Sequence, residues 1–169
     1  VQKSSIPFRP LRVTAWPQVP SLLTATVTGP SGEEIHTDEF GRIKVNFPWD
    51  RLGKRDETSS MWVRCVMPWA GNGWGMFSIP RIGMEVIIQF ERGNIDRPYC
   101  TGVVYNGTNA PPYTLPDEAT KVGMRTNSSK GGGGFHELTF DDKKDAETVF
   151  FQSEKDYKQV IKNNAEITI

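Results

Sequence analysis

The chain has 169 residues, with Lys plus Arg matching Asp plus Glu at 20 each, so its formal net charge is zero. That length allows one compact domain with extensions. The balanced charge excludes the cationic excess that drives non-specific nucleic-acid binding, and no acidic block is present. The longest apolar runs, such as Val86-Ile87-Ile88, are a few residues long, far below the roughly 18 needed for a membrane-spanning helix.

The chain opens at Val1 without a leader-like pattern and closes at Ile169 inside an alternating run, so it reads as a piece excised from a longer protein. From Ser21 to Thr28, polar and apolar residues alternate, which turns Leu23, Ala25 and Val27 to one face of a strand. The same period places Ile43, Val45 and Phe47 inward within Arg42–Phe47, Val63 and Cys65 within Met61–Met67, and Val86, Ile88 and Phe90 within Glu85–Phe90. Pro98–Tyr105 makes a fifth strand. Between them, Gly29-Pro30-Ser31-Gly32, Asp38-Glu39-Phe40-Gly41, Gly71-Asn72-Gly73 and Arg92-Gly93-Asn94 supply turn chemistry. Five short strands without a helix between them predict an all-β fold, a five-stranded Greek-key barrel of the OB type. Its predicted core is Leu23, Val27, Ile43, Val45, Phe47, Val63, Val86, Ile88 and Phe90.

Gly131-Gly132-Gly133-Gly134 then forms a seam. All five tryptophans and all twelve prolines precede it, whereas residues 135–169 hold 13 hydrophobic and 13 charged residues and no Gly, Pro, Trp, Cys or Met. A segment so short and charged cannot bury a core of its own, because ordering each residue costs about 1–2 kcal/mol of backbone entropy. The glycine run lacks the Lys-Ser/Thr partner of a phosphate loop and reads as a flexible hinge.

Candidates for chemistry are few. His36 and His136 are the only histidines, and without Cys-x-x-Cys or His-x-x-x-His spacing they do not make a zinc site. His36 with Asp38 and Glu39 could form an acid–base cluster, the basis of a hydrolase reading, but at a strand-to-turn junction such residues are ordinarily solvated turn positions. Cys65 and Cys100 read as buried reduced thiols rather than a disulfide. No catalytic, cofactor-binding or metal site is expected. An OB barrel also admits single-stranded nucleic-acid binding, with Phe47, Trp49, Trp62, Trp69 and Trp74 as stacking platforms and Arg42, Lys44, Arg51, Lys54, Arg55 and Arg64 as charge. Against this, the sequence Pro68-Trp69-Ala70-Gly71-Asn72-Gly73-Trp74-Gly75 suits a loop packed on a core or on a neighbouring subunit.

A series of ordered motifs carries a family resemblance. Thr37-Asp38-Glu39-Phe40-Gly41-Arg42-Ile43-Lys44-Val45 is followed by Trp49-Asp50-Arg51. Next come Pro68-Trp69-Ala70-Gly71 with Gly73-Trp74-Gly75-Met76, then Pro80-Arg81-Ile82-Gly83-Met84-Glu85-Val86, then Asp96-Arg97-Pro98 with Thr101-Gly102-Val103-Val104-Tyr105-Asn106. With the glycine run and Phe135-His136-Glu137-Leu138-Thr139-Phe140-Asp141-Asp142-Lys143, this order resembles VgrG, the valine-glycine repeat spike of type VI secretion, over nearly the whole chain. The resemblance implies residues 1–20, including Phe8-Arg9-Pro10 and Leu11-Arg12, as the connector from a hub-like region. It implies an OB barrel over 21–107, a Pro/Gly-rich linker over 108–134, and the beginning of a trimeric β-helix or β-prism needle over 135–169. There is no room for the lysozyme domain that the phage tail relative inserts between barrel and needle, so murein hydrolysis does not transfer.

For the tail, periodicity alone leaves two readings. Ala146, Val149 or Phe150, Ser153, Tyr157, Val160 or Ile161 and Asn164 fit one helical face. Leu138 with Phe140, Val149 with Phe151, Tyr157 with Ile161, and Ala165 to Ile169 fit strands separated by polar turns at 141–145, 153–156 and 163–164. The β-branched end and the resemblance favour strands. Three chains wound together would give each apolar face its partners, with Leu138, Phe140, Val149, Phe151, Tyr157, Ile161, Ile167 and Ile169 as the expected trimer interface. The resemblance thus implies a structural, non-enzymatic spike, a homotrimer that meets a secretion tube protein, a spike-tip protein and effectors. It would be assembled in the bacterial cytoplasm and then secreted, contacting the target membrane mechanically rather than as an integral protein. No nucleic-acid partner is expected on that reading.

Overall fold

A computed structural model of the protein describes residue 5, residue 7 and residues 9–169. Phe8, within the expected connector, lies outside the described residues. The chain divides after Asn106 into two compact units.

The first unit contains β1 (Leu23–Thr28), β2 (Lys44–Asn46), β3 (Arg64–Cys65), β4 (Ala70–Gly71), β5 (Trp74–Gly75), β6 (Glu85–Phe90) and β7 (Pro98–Val104). Five of these form one sheet in the order β2-β1-β6-β7-β3, and its pairings are antiparallel except for the parallel pair β3–β7. The two edges meet where Ile43, just before β2, pairs with Val63, just before β3. That bridge closes the sheet into a five-stranded Greek-key barrel and removes its open edges.

Alternation explains the interior. Ala25, Val27, Ile43, Val45, Val63, Val86, Ile88 and Cys100 form the buried cluster, and Phe47, Cys65, Ile79, Met84 and Phe90 pack against it half-buried. Leu23, at the end of β1, is only half-buried and lies outside this cluster. β6 and β7 slip register by one residue: Ile87 pairs with Gly102 and Ile88 with Cys100, leaving Thr101 as the extra residue of a β-bulge. The Thr101 hydroxyl donates back to the Ile87 carbonyl at 3.5 Å.

The predicted strands shorten where turn residues take over the backbone. β1 begins at Leu23 rather than Ser21, and Met61–Met67 contracts to a two-residue β3 plus the Val63 bridge. The expected turn at Gly71-Asn72-Gly73 proves to be the tip of a small hairpin, β4–β5, in which Gly73 takes the left-handed region at φ +78°.

The second unit is a three-stranded antiparallel meander of β8 (Lys121–Arg125), β9 (Glu137–Asp141) and β10 (Thr148–Gln152), in the order β10-β9-β8. This corrects the expected linker over 108–134, because β8 lies inside it and pairs along its whole length with β9. The glycine run is likewise not a hinge between barrel and tail. The hairpin ladder continues past β8 through the Thr126 and Ser128 amides, which donate to the His136 and Gly134 carbonyls at 2.9 and 2.8 Å. Gly131 and Gly133, at φ +57° and +66°, therefore turn the chain back from β8 into β9. The tail is strand rather than helix through Gln152, with Asp145 at φ +65° in the β9–β10 turn. The expected strands at 157–161 and 165–169 are absent from the single chain, since no neighbouring strand is available there to satisfy their backbone groups.

Candidate interaction surfaces

The meander has two chemically different faces. Register partners in antiparallel strands project to the same side, and so do residues two apart. Val122 pairs with Phe140 and Phe140 with Val149, while Met124 pairs with Leu138 and Leu138 with Phe151. These two rows put six apolar side chains on one face. Val122 is 64% exposed, Met124 65%, Val149 69% and Phe151 59%, well beyond what a sheet packed on its own core would show.

The opposite face consists of Lys121, Asp141 and Thr148, then Gly123, Thr139 and Phe150, then Arg125, Glu137 and Gln152. It is covered from within the same unit. Tyr113 lies across it, its hydroxyl 2.9 Å from the hydroxyl of buried Thr139. Gly123 makes that approach possible, because a Cβ there would collide with the Tyr113 hydroxyl. Lys121 is ion-paired with Glu118, and Arg125 with Glu137 at 3.7 Å. The hydrogen bond from Lys121 draws the Glu118 carboxyl below its usual range, and the same bond holds the Lys121 ammonium above its own. One face thus finds much of its cover within a single chain, although Phe150 stays 47% exposed on it, while the other is bare.

Beyond β10 the chain turns back. The Ser153 hydroxyl donates to the Asp156 carbonyl at 2.7 Å, and Tyr157 meets Phe151 edge-to-face at 5.2 Å. Glu154 ties this turn to the entry of β9. Its amide donates to Nδ1 of His136 at 3.2 Å, and its carboxylate accepts from the Phe135 amide at 3.1 Å. Of the expected interface residues, Leu138, Phe140, Val149 and Phe151 share the bare face, and Tyr157 touches it through Phe151. Ile161, Ile167 and Ile169 are exposed in a segment without strand structure. Val122 and Met124 were missed by sequence reasoning; the alternation Lys121-Val122-Gly123-Met124-Arg125 was the available signal.

The barrel unit presents a second apolar surface. Trp69 and Trp74 stand edge-to-face at 5.2 Å on the β4–β5 hairpin, each 60% exposed. The Trp74 indole lies directly over Gly71, where any side chain would displace it. Met76 and Phe77 extend the patch, and Phe77 packs against Gly41.

Several residues of the other two readings are otherwise engaged. Asp38 does not turn its carboxylate towards His36; it accepts from the Phe40 and Arg42 amides at 3.1 and 2.9 Å and pairs with the Arg42 guanidinium at 2.6 Å. His36 packs on Trp62 at 5.0 Å. Lys44 donates to the Ser60 carbonyl at 2.7 Å and sits over Trp62, Arg64 stacks over Tyr99 at 4.4 Å, and Phe47 stacks on Trp49 at 5.1 Å. Among the described residues no group of three or more His, Cys, Asp or Glu side chains could hold a metal ion, and no helix is long and apolar enough to cross a membrane.

Comparison with known proteins agrees with this division. Residues 25–105 match the type VI secretion system/phage-baseplate injector OB domain, and residues 122–169 match the bacteriophage T4 gp5 C-terminal trimerisation domain. The chain is 46% identical over 164 residues to type VI secretion system spike protein VgrG1a of Pseudomonas aeruginosa, covering 96% of this chain and 26% of that protein. It is 46% identical over 153 residues to spike protein VgrG3 of Vibrio cholerae, covering 90% of this chain and 15% of that protein. A further relative, the actin cross-linking toxin VgrG1 of Vibrio cholerae, is 48% identical over 148 residues, 88% of this chain but 13% of the toxin. The chain thus spans about a quarter or less of the length of these relatives. The chain belongs to the VgrG family of type VI secretion spike proteins.

Proposed function

We propose that this chain is a structural part of a type VI puncturing spike, in which three copies join through the bare face of the β8–β10 sheet to form a rigid shaft. The observation that carries the reading is the two-row apolar face of Val122, Phe140 and Val149 beside Met124, Leu138 and Phe151. It lies within the span that matches the trimerisation domain, a match that begins at residue 122. Such a face on a folded unit marks an interface. Each of these side chains gains about 1.5–3 kcal/mol on full burial, enough in sum to offset the ordering cost of association.

In the trimer, Tyr157, Ile161, Ile167 and Ile169 face the shared axis, and residues 157–169 take up strand pairing that one chain cannot supply. The work is mechanical: a contracting sheath drives the spike through the target envelope, and no bond is made or broken by these residues. The secretion tube, a tip protein and effectors are its partners, and its route runs from assembly in the bacterial cytoplasm to secretion. Cross-linking activity belongs to the named toxin and is not assigned to this segment. Nucleic-acid binding gains no support from the relatives, and three of the six cations that would serve it, Arg42, Lys44 and Arg64, are held by Asp38, Ser60 and Tyr99.

Sedimentation velocity tests the assembly, on this chain and on the same protein extended beyond Ile169. A trimer that forms with rising concentration is expected, and a monomer at every concentration in both overturns the reading.

A further inference from the structure

We propose that Cys65 and Cys100 are an oxidative modification site, at which exchange with a low-molecular-weight disulfide forms an intrachain bond stapling β3 to β7. Both are free thiols, and they are direct register partners across the parallel β3–β7 pair. Neighbouring strands run about 4.8 Å apart, within the roughly 4.4–6.8 Å Cα separation that a disulfide accepts. Register partners project to one side, and both cysteines pack in the same core cluster. Cys100 donates to the Gly102 carbonyl at 3.6 Å.

The two sulfurs differ in access. Cys100 is 2% exposed, whereas Cys65 is half-buried, so the reagent enters at Cys65. The neighbouring Cys100 thiol, reinforced by burial, pushes the Cys65 thiol up, and Cys65 in turn draws Cys100 down. The Cys65 thiol gives its proton to solvent as its sulfur attacks one sulfur of oxidised glutathione. The reagent's S–S bond breaks, one glutathione thiolate leaves, and Cys65 carries the mixed disulfide. Cys100 then gives up its proton and attacks the Cys65 sulfur, expelling the second glutathione thiolate. The two protein thiols lose two electrons and two protons, and the reagent gains both as two thiols.

The place of the bond gives it a consequence. β3 has two residues and is held in the ring by its pairing with β7 and by the neighbouring Ile43–Val63 bridge. A covalent link there fastens the seam at which the barrel closes. It also closes a loop over the connection that carries the Trp69–Trp74 hairpin, which restricts the unfolded chain.

The test uses the whole folded chain, equilibrated in glutathione buffers from fully reduced to fully oxidised, then denatured with N-ethylmaleimide and weighed intact. The expected oxidised product carries no label, has lost two hydrogens, and yields a peptide joining Cys65 to Cys100. Its melting midpoint rises by at least about 4 °C and returns with dithiothreitol. In Cys65→Ser and Cys100→Ser, each with one labelled thiol, no such rise is seen. Two labelled thiols throughout, a glutathione adduct on Cys65 alone, a disulfide between chains, or an oxidised form that melts no higher overturns the proposal.

Discussion

Ile43 and Val63 exchange both backbone hydrogen bonds, at 2.9 and 2.8 Å, across a gap of twenty residues in sequence, and so join the two edges of the barrel sheet. Both side chains are fully buried at the same place. The contact that closes the ring is therefore also part of the core.

Replacing Ile43 by Ala removes that packing and leaves a cavity in the buried cluster that it shares with Val27, Val45, Val63 and Ile88. The expected loss is about 2–5 kcal/mol of barrel stability, read as a lower urea midpoint at unchanged slope.

Gly41 ends the Asp38 turn at φ +72°, with the Phe77 ring 3.0 Å from where a Cβ would stand. Gly41→Ala forces a side chain into the left-handed region, about 1–2 kcal/mol, and presses it on Phe77. Gly32, also at positive φ but in open space, is the control: Gly32→Ala carries the backbone cost alone, so the excess for Gly41 in thermal melts measures the contact.

On the bare face of the second unit, Met124→Asp or Phe151→Asp places a charge in the proposed interface. Each is expected to weaken association at least tenfold, since about 1.4 kcal/mol suffices for that and an unpaired buried charge costs more. Thr148→Asp lies on the other face of the sheet and should leave the sedimentation coefficient unchanged.

Acid should loosen the Asp38 turn. Burial works to raise the Asp38 carboxyl, but the Arg42 amide and guanidinium and the Phe40 amide outweigh it, and the group lies below its ordinary value. A carboxyl depressed in the folded state stabilises fully above its unfolded value, near pH 4, and loses that contribution as pH falls through the folded value. Melting midpoints measured from pH 6 downwards should therefore fall at the acid end, and less steeply in Asp38→Asn.

Period-two patterning made the barrel strands legible, because a strand buried on one side must alternate, and Val27, Ile43, Val45, Val63, Val86 and Ile88 stand in the core on that account. The same rule gathered Leu138, Phe140, Val149 and Phe151 onto one side of a strand pair. It was not applied to β8, whose alternation Lys121-Val122-Gly123-Met124-Arg125 carried the signal; what no local pattern reveals is that Gly123 admits Tyr113 from ten residues away.

What the sequence determined by itself, then, was the alternation within each segment, the turns between them, and the shortage of apolar residues after the glycine run. Only the tertiary structure decided which segments pair. It made the glycines the bend of a β8–β9 hairpin, set Cys65 beside Cys100, and added Val122 and Met124 to the bare face. The physical reason is that alternation is a property of neighbouring residues, whereas strand pairing is decided by backbone hydrogen bonds between residues far apart in the chain, which become visible only once the chain has folded.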